Sequence, residues 1–166
     1  PDTREPTEAD GIALRNRALL ELLYAAGLRV SEALHLDLRD LSIDGGFVRV
    51  IGKGDRERLV PVGDVALDWL ARYLAWPRPG WLAVGSTPDG PDAPLFVTPR
   101  GRRLARQSAW SIVKVAAGAA ETVPERFRGR KLHRHNATVT LMRTTPRECH
   151  EIGRRIAEKL NAATGP

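Results

Sequence analysis

Between Phe47 and Val62 the chain reads as two β-rich runs, Phe47-Val48-Arg49-Val50-Ile51 and Arg56 through Val62, around a Gly52-Lys53-Gly54-Asp55 tip. β-Branched residues suit a pleated, half-buried surface, and glycine admits the left-handed dihedrals of a tight reversal. The segment therefore predicts a hairpin, with Lys53 at or near its turn. On either side the period is helical. Thr7 with Asp10 forms an N-cap with an acidic first turn, and Ile12, Leu19, Leu22, Leu23 and Ala26 share one face. Residues 8–26 thus predict an amphipathic helix, with Gly27 as its left-handed C′ residue. A second helix is expected from Ser31, whose hydroxyl can cap it, to about Leu38, which leaves Arg29 in a tight corner between two helices. Asp64 is expected to cap a third, with Ala66, Trp69, Leu70, Tyr73 and Leu74 on one face. The fold class is α+β, mostly helical with a small antiparallel sheet.

Residues 77–94 carry five prolines and several glycines and predict an irregular loop. Leu95-Phe96-Val97-Thr98 reads as a short strand, followed by a basic turn over Pro99 to Arg103 and a helix over about 105–120 that buries Trp110, Val113 and Ala117. Thr145-Pro146-Arg147-Glu148 is a good helix start, continued by Cys149, Ile152, Ile156 and Leu160. At 166 residues the chain suits one domain, 1–166, and the missing initiator Met hints that it was cut from something longer. One cysteine rules out a disulfide framework and suits a reducing cytoplasm. The polar, acidic first ten residues do not read as a signal peptide, and no apolar run nears the ~18 residues a membrane span needs. Cys149-His150 with Glu148 and Glu151 lacks convergent ligands, so no metal and no cofactor is expected.

Charge is unevenly placed. Residues 1–99 hold 11 basic and 15 acidic side chains, and residues 100–134 hold 10 basic and 2 acidic, a balance of +8 in the second stretch. A positive block on a near-neutral body suits a phosphate backbone, although a solvated basic face would read the same way. Of the 26 basic residues, 22 are Arg, yet the hairpin tip carries Lys53. Only Lys can release a proton at reachable cost, the property a general acid needs, although a turn lysine also serves solubility. GKG lacks the GxxxxGK[ST] spacing, so no nucleotide site is expected. Arg29 offers a rigid bidentate fork to phosphate oxygens, or else pairs with Glu32 on the surface.

The run Gly27-Leu28-Arg29-Val30-Ser31-Glu32, followed by Val48 through Pro61 with its Gly52-Lys53-Gly54 and Arg58, resembles the catalytic domain of Xer-type tyrosine recombinases, the phage integrase family. The resemblance spans about residues 11–120, and more weakly 130–138, leaving 139–166 as an unassigned helical tail; the family's N-terminal core-binding domain is not expected here. It implies site-specific strand cleavage and rejoining of double-stranded DNA through a 3′-phosphotyrosine, without metal or nucleotide, together with other recombinase protomers. It further implies that Arg29 is the first clamp arginine and Lys53 the general acid. Lys131-Leu132-His133-Arg134-His135 is similar to the family's second cluster, which makes Arg134 the second clamp arginine and puts Lys131 where His is usual. Arg100, Arg102, Arg103, Arg106, Arg130 and His133 are the expected DNA-backbone contacts.

After Thr138 the resemblance ends. The chain has two tyrosines, Tyr24 and Tyr73, both read as core residues on apolar helical faces, so no nucleophile is identifiable. The expectation is a recombinase DNA-binding domain inactive alone; the alternative is a non-catalytic module that binds DNA backbone. A frameshifted or degraded tail, and a tyrosine donated by a partner protomer, both remain open.

Overall fold

The computed structural model describes residues 5–85 and 87–119. They belong to two compact units, Pro1–Leu104 and Ala105–Pro166. In the first, helix α1 (Glu8–Ala26) begins and ends where its cap signals lie. Asp10 Oδ2 accepts from the Thr7 N–H at 2.8 Å, and Thr7 Oγ1 accepts in return from the Asp10 N–H at 3.4 Å. Gly27 closes the helix at φ 61°, a left-handed backbone that a Cβ would strain. Ala18, Leu19, Leu22 and Leu23 are buried, and α1 packs on α3 (Asp64–Ala75), where Ala66, Leu70 and Tyr73 are buried in turn. Tyr24 departs from expectation. It is 36% exposed rather than in the core, because at about 100° per residue the helix turns it about 120° from Ala18 and about 160° from Leu22 on the buried stripe.

Helix α2 (Val30–His35) starts one residue before Ser31, with Arg29 at the N-cap. The Glu32 carboxylate, and not the Ser31 hydroxyl, satisfies a free N–H there: Oε2 accepts from Arg29 N at 2.9 Å. The helix stops well short of Leu38 because Leu36 is extended, and a 3-10 turn (Leu38–Asp40) follows. Strands β1 (Leu41–Ser42), β2 (Phe47–Ile51) and β3 (Glu57–Pro61) form an antiparallel sheet in the order β1-β2-β3. The register pairs Val48 with Val60 and Val50 with Arg58. Val48 and Val50 are buried on one face, whereas Ile51 and Leu59 lie exposed. Asp64 does not cap α3: Gly63 holds that position and Asp64 contributes its charge to the first turn.

The loop expected over 77–94 contains helix α4 (Arg78–Val84). Pro77 sits at its N-cap and Pro79 in its first turn, where a missing N–H costs no helical bond. Buried Arg78 fixes this helix, donating to Pro94 O at 2.8 Å, Leu95 O at 3.2 Å and Asp89 Oδ1 at 3.2 Å. The strand expected over Leu95–Thr98 is likewise absent, and only isolated bridges form there, Asp37 with Pro94 and Val97 with Arg103. Leu95, Phe96 and Val97 are apolar because they are buried; Phe96 stacks on Tyr73 with centroids 5.7 Å apart. In the second unit α5 (Arg106–Ala119) buries Ala109, Trp110, Val113 and Ala116. The side chain of Ala117 and the helix expected over 145–162 lie outside the described residues. The architecture is α+β, as read from the sequence.

Candidate nucleic-acid interface

Arginine supplies nearly all the cations of the first unit, and its surface arginines divide into two kinds. Most are tied to carboxylates: Arg17 to Glu21 at 2.7 Å, Arg49 to Asp40 at 2.6 Å, Arg72 to Asp68 at 2.9 Å and Arg58 to Glu32 at 3.1 Å. The hydrogen bond to Asp40, then its charge, raises the pKa of Arg49 above the ordinary value. Arg15 is buried, donates to Val97 O at 3.3 Å and lies over Trp81, and burial lowers its pKa. A smaller group, Arg29, Lys53, Arg56, Arg100 and Arg102, is exposed, and no side chain in it has an acidic partner among the described residues.

Local structure holds each member of that group in place. Arg29 lies between buried Leu28 and Val30, and its N–H is tied to Glu32, so its backbone is fixed while its guanidinium faces outward. Lys53 sits at the hairpin tip, where Gly52 N donates to Arg56 O at 2.8 Å. The reversal needs left-handed backbone at Gly54 (φ 75°) and Asp55 (φ 55°); Asp is among the few side chains that tolerate it. Arg100 and Arg102 flank Gly101, which ends the turn begun at Thr98 by donating to Thr98 O at 2.8 Å. Gly101 has φ 70°, and a Cβ there would lie 2.6 Å from Trp81 O and 2.9 Å from Gly85 Cα. The basic turn is thus seated on the end of α4 by backbone-to-backbone contact.

Arg103 points elsewhere. It donates to Leu34 O at 2.7 Å and Leu36 O at 3.2 Å, and pairs with Asp37 at 2.5 Å, so its guanidinium closes the end of α2. Arg106 is exposed in the first turn of α5, in the second unit. Arg130, Lys131, His133 and Arg134 lie outside the described residues. Glu32 does not ion-pair with Arg29 as the sequence allowed. It takes the Arg29 N–H and pairs with Arg58 instead. The signal was present in the alternation of β3, which turns Arg58 to the same face as Val60.

Tyr73 is fully buried, and its Oη accepts from the Val97 N–H at 3.0 Å. Burial pushes its pKa up to about 12, against the smaller pull of the Val97 hydrogen bond, Arg78 and Arg15. A neutral, enclosed phenol cannot attack a phosphate of an external duplex. No helix among the described residues is long and apolar enough to cross a membrane, and no group of three or more His, Cys, Asp or Glu among them could hold a metal ion.

Comparison with known proteins gives the family and the fold. The sequence pattern of the phage integrase family matches residues 5–148. The chain is 46% identical over 132 residues to the tyrosine recombinase XerD of Chlorobaculum tepidum, covering 77% of this chain and 41% of that protein. It is 48% identical over 109 residues to XerD of Proteus mirabilis, covering 66% and 33%. The chain therefore spans well under half the length of these relatives. Its fold is similar to a crystal structure of XerA recombinase (TM-score 0.56, 18% identity, 100% of this chain and 66% of that one). It is equally similar to XerH site-specific recombinase bound to difH substrate in a pre-cleavage complex (TM-score 0.56, 21% identity, 98% and 48%). With a family match across most of its length and XerD relatives at this identity, the chain belongs to the phage integrase family, as a Xer-type tyrosine recombinase catalytic domain.

Proposed function

We propose that this chain grips double-stranded DNA as part of a site-specific tyrosine recombinase, with Arg29 and Lys53 at the scissile phosphate. Arg29 neutralises the non-bridging oxygens as charge builds on phosphorus, an electrostatic task suited to a fixed guanidinium. As a tyrosine oxygen bonds to phosphorus, its proton passing to solvent, the bond from phosphorus to the 5′ oxygen breaks, and Lys53 Nζ gives that oxygen a proton. The 3′-phosphotyrosyl link keeps the energy of the broken bond, so rejoining needs no nucleotide. Arg134 and Lys131 complete the clamp, and Arg100, Arg102, Arg106, Arg130 and His133 hold flanking backbone. Arg103 belongs to that group by sequence, but its bonds to the end of α2 leave it a mainly internal role.

One observation carries this reading. In a unit whose arginines are mostly ion-paired, the two cations of the family motifs, Arg29 and Lys53, stand exposed, at a hydrogen-bonded helix corner and a hydrogen-bonded hairpin tip, with no acidic partner among the described residues. Tyr73 is enclosed, and Tyr24, although exposed, lies outside the motifs that carry the resemblance, so on this reading the chain binds DNA and takes the attacking tyrosine from another protomer. Five neutralised phosphates predict a log–log salt slope of binding near about −4.5. A slope near zero would overturn the DNA reading. A denaturant-resistant protein–DNA adduct, formed with a tyrosine-bearing recombinase and lost on Lys53→Ala while affinity barely changes, separates strand exchange from passive binding.

A further inference from the structure

We infer that Arg58 is a positioning residue, which braces the Lys53 loop against the corner that presents Arg29. The inference rests on the proposed placement of Lys53 at a DNA phosphate. A chain of contacts carries it. Glu32 Oε2 accepts from the Arg29 N–H at 2.9 Å. The same carboxylate receives Arg58 through both guanidinium nitrogens, at 3.1 Å each to Oε1, and at 3.2 Å from Nη2 to Oε2. On its other side the Arg58 guanidinium lies against Gly52, where an added Cβ would come within 3.2 Å of Nη1. Gly52 immediately precedes Lys53. One side chain thus connects the backbone of the clamp arginine to the base of the loop that carries the proposed acid.

The pairing also has the right geometry for a strut. A two-pronged guanidinium–carboxylate contact restricts rotation as well as distance, which a lysine ammonium in the same place cannot do. Arg58 sits opposite Val50 in the ladder, so its stem is anchored in the sheet. Glu32 is the less exposed partner, its side chain 13% exposed against 46% for Arg58, and it anchors the pair in α2. Without that link, the loop hangs from the sheet by the Gly52–Arg56 bond at its neck alone.

The test is a lysine footprint. Acetylation of each lysine by a water-soluble acylating reagent is followed by mass spectrometry, with and without saturating duplex DNA, in the intact chain and in two variants. Arg58→Lys keeps the charge and removes the fork. Glu32→Gln keeps an oxygen for the Arg29 N–H and removes the ion pair. DNA is expected to slow acetylation of Lys53 about tenfold in the unaltered chain and no more than about twofold in either variant, with thermal midpoints little changed. Protection of Lys53 that persists in both variants overturns the inference. If Arg58→Lys does not fold, Glu32→Gln reads the same contact. If the unaltered chain fails to bind DNA, the recombinase reading falls, and backbone order parameters of Lys53 and Gly54 without DNA then decide for the strut. Values near about 0.85 that drop below about 0.6 in the variants support it, and unchanged values refute it.

Discussion

Tyr73→Phe tests whether the second tyrosine of this recombinase chain belongs to the core or to the chemistry. The substitution keeps the ring that stacks on Phe96 and removes the oxygen that accepts from Val97 N–H. Val97 is completely buried, so its N–H is left without water or partner, a loss of about 1–3 kcal/mol at neutral pH. The phenol adds a pH dependence. Its pKa is pushed from about 10 in the unfolded chain to about 12 in the fold. Below pH 10 both states hold the proton and the contribution is complete. Between pH 10 and 12 the unfolded chain releases its proton while the native chain keeps it, and stability falls. At pH 11 that loss is about 1.4 kcal/mol for the tyrosine protein and zero for the phenylalanine variant. Urea unfolding at pH 7, 10 and 11 should therefore show a gap that is open at pH 7 and narrows at pH 11. A gap of zero at neutral pH, or one independent of pH, would refute the buried, hydrogen-bonded phenol. Loss of adduct formation in an otherwise stable Tyr73→Phe variant would refute its assignment to the core.

Other outcomes follow from the same contacts. Gly101→Ala meets both a left-handed φ and the backbone of Trp81 and Gly85, so a loss on the order of 1–3 kcal/mol is expected by calorimetry. The same variant should flatten the salt slope of DNA binding as Arg100 and Arg102 shift. Arg78→Ala strips the buried carbonyls of Pro94 and Leu95 of their donors and should cost about 2–5 kcal/mol in urea unfolding, more than any exposed arginine. Thr7→Ala removes the α1 cap, for about 1 kcal/mol, and should leave DNA affinity unchanged in a gel-shift titration. Arg29→Lys keeps the charge and loses the fork, so adduct yield with a tyrosine-bearing partner should fall much further than affinity.

Much of the architecture was legible because local rules and packing agree. The Thr7–Asp10 box, Gly27 and the glycine-flanked hairpin tip each have a short-range cause, and each stands where the sequence placed it. The errors arose where a residue type has two explanations. Prolines at 77 and 79 looked like breakers, yet the first turn of α4 accommodates them. Leu95, Phe96 and Val97 looked like a strand, yet their apolar character reflects burial against Tyr73 and not pairing in a sheet. Tyr24 was grouped with its leucine neighbours although the helical period turns it outward.

By itself the sequence determined the family, the α+β class, and Arg29 and Lys53 as motif cations, because motif spacing and cap chemistry are local properties of the chain. Which cations remain available to an external phosphate was decided only by the tertiary structure. An arginine's charge is the same in every context, and its availability depends on which carboxylate or carbonyl the fold brings to it. Three residues of one basic turn show the difference: Arg100 and Arg102 face outward, while Arg103 is held by Leu34 at the end of α2 and by Leu36 and Asp37 just after it, more than sixty residues away in the chain.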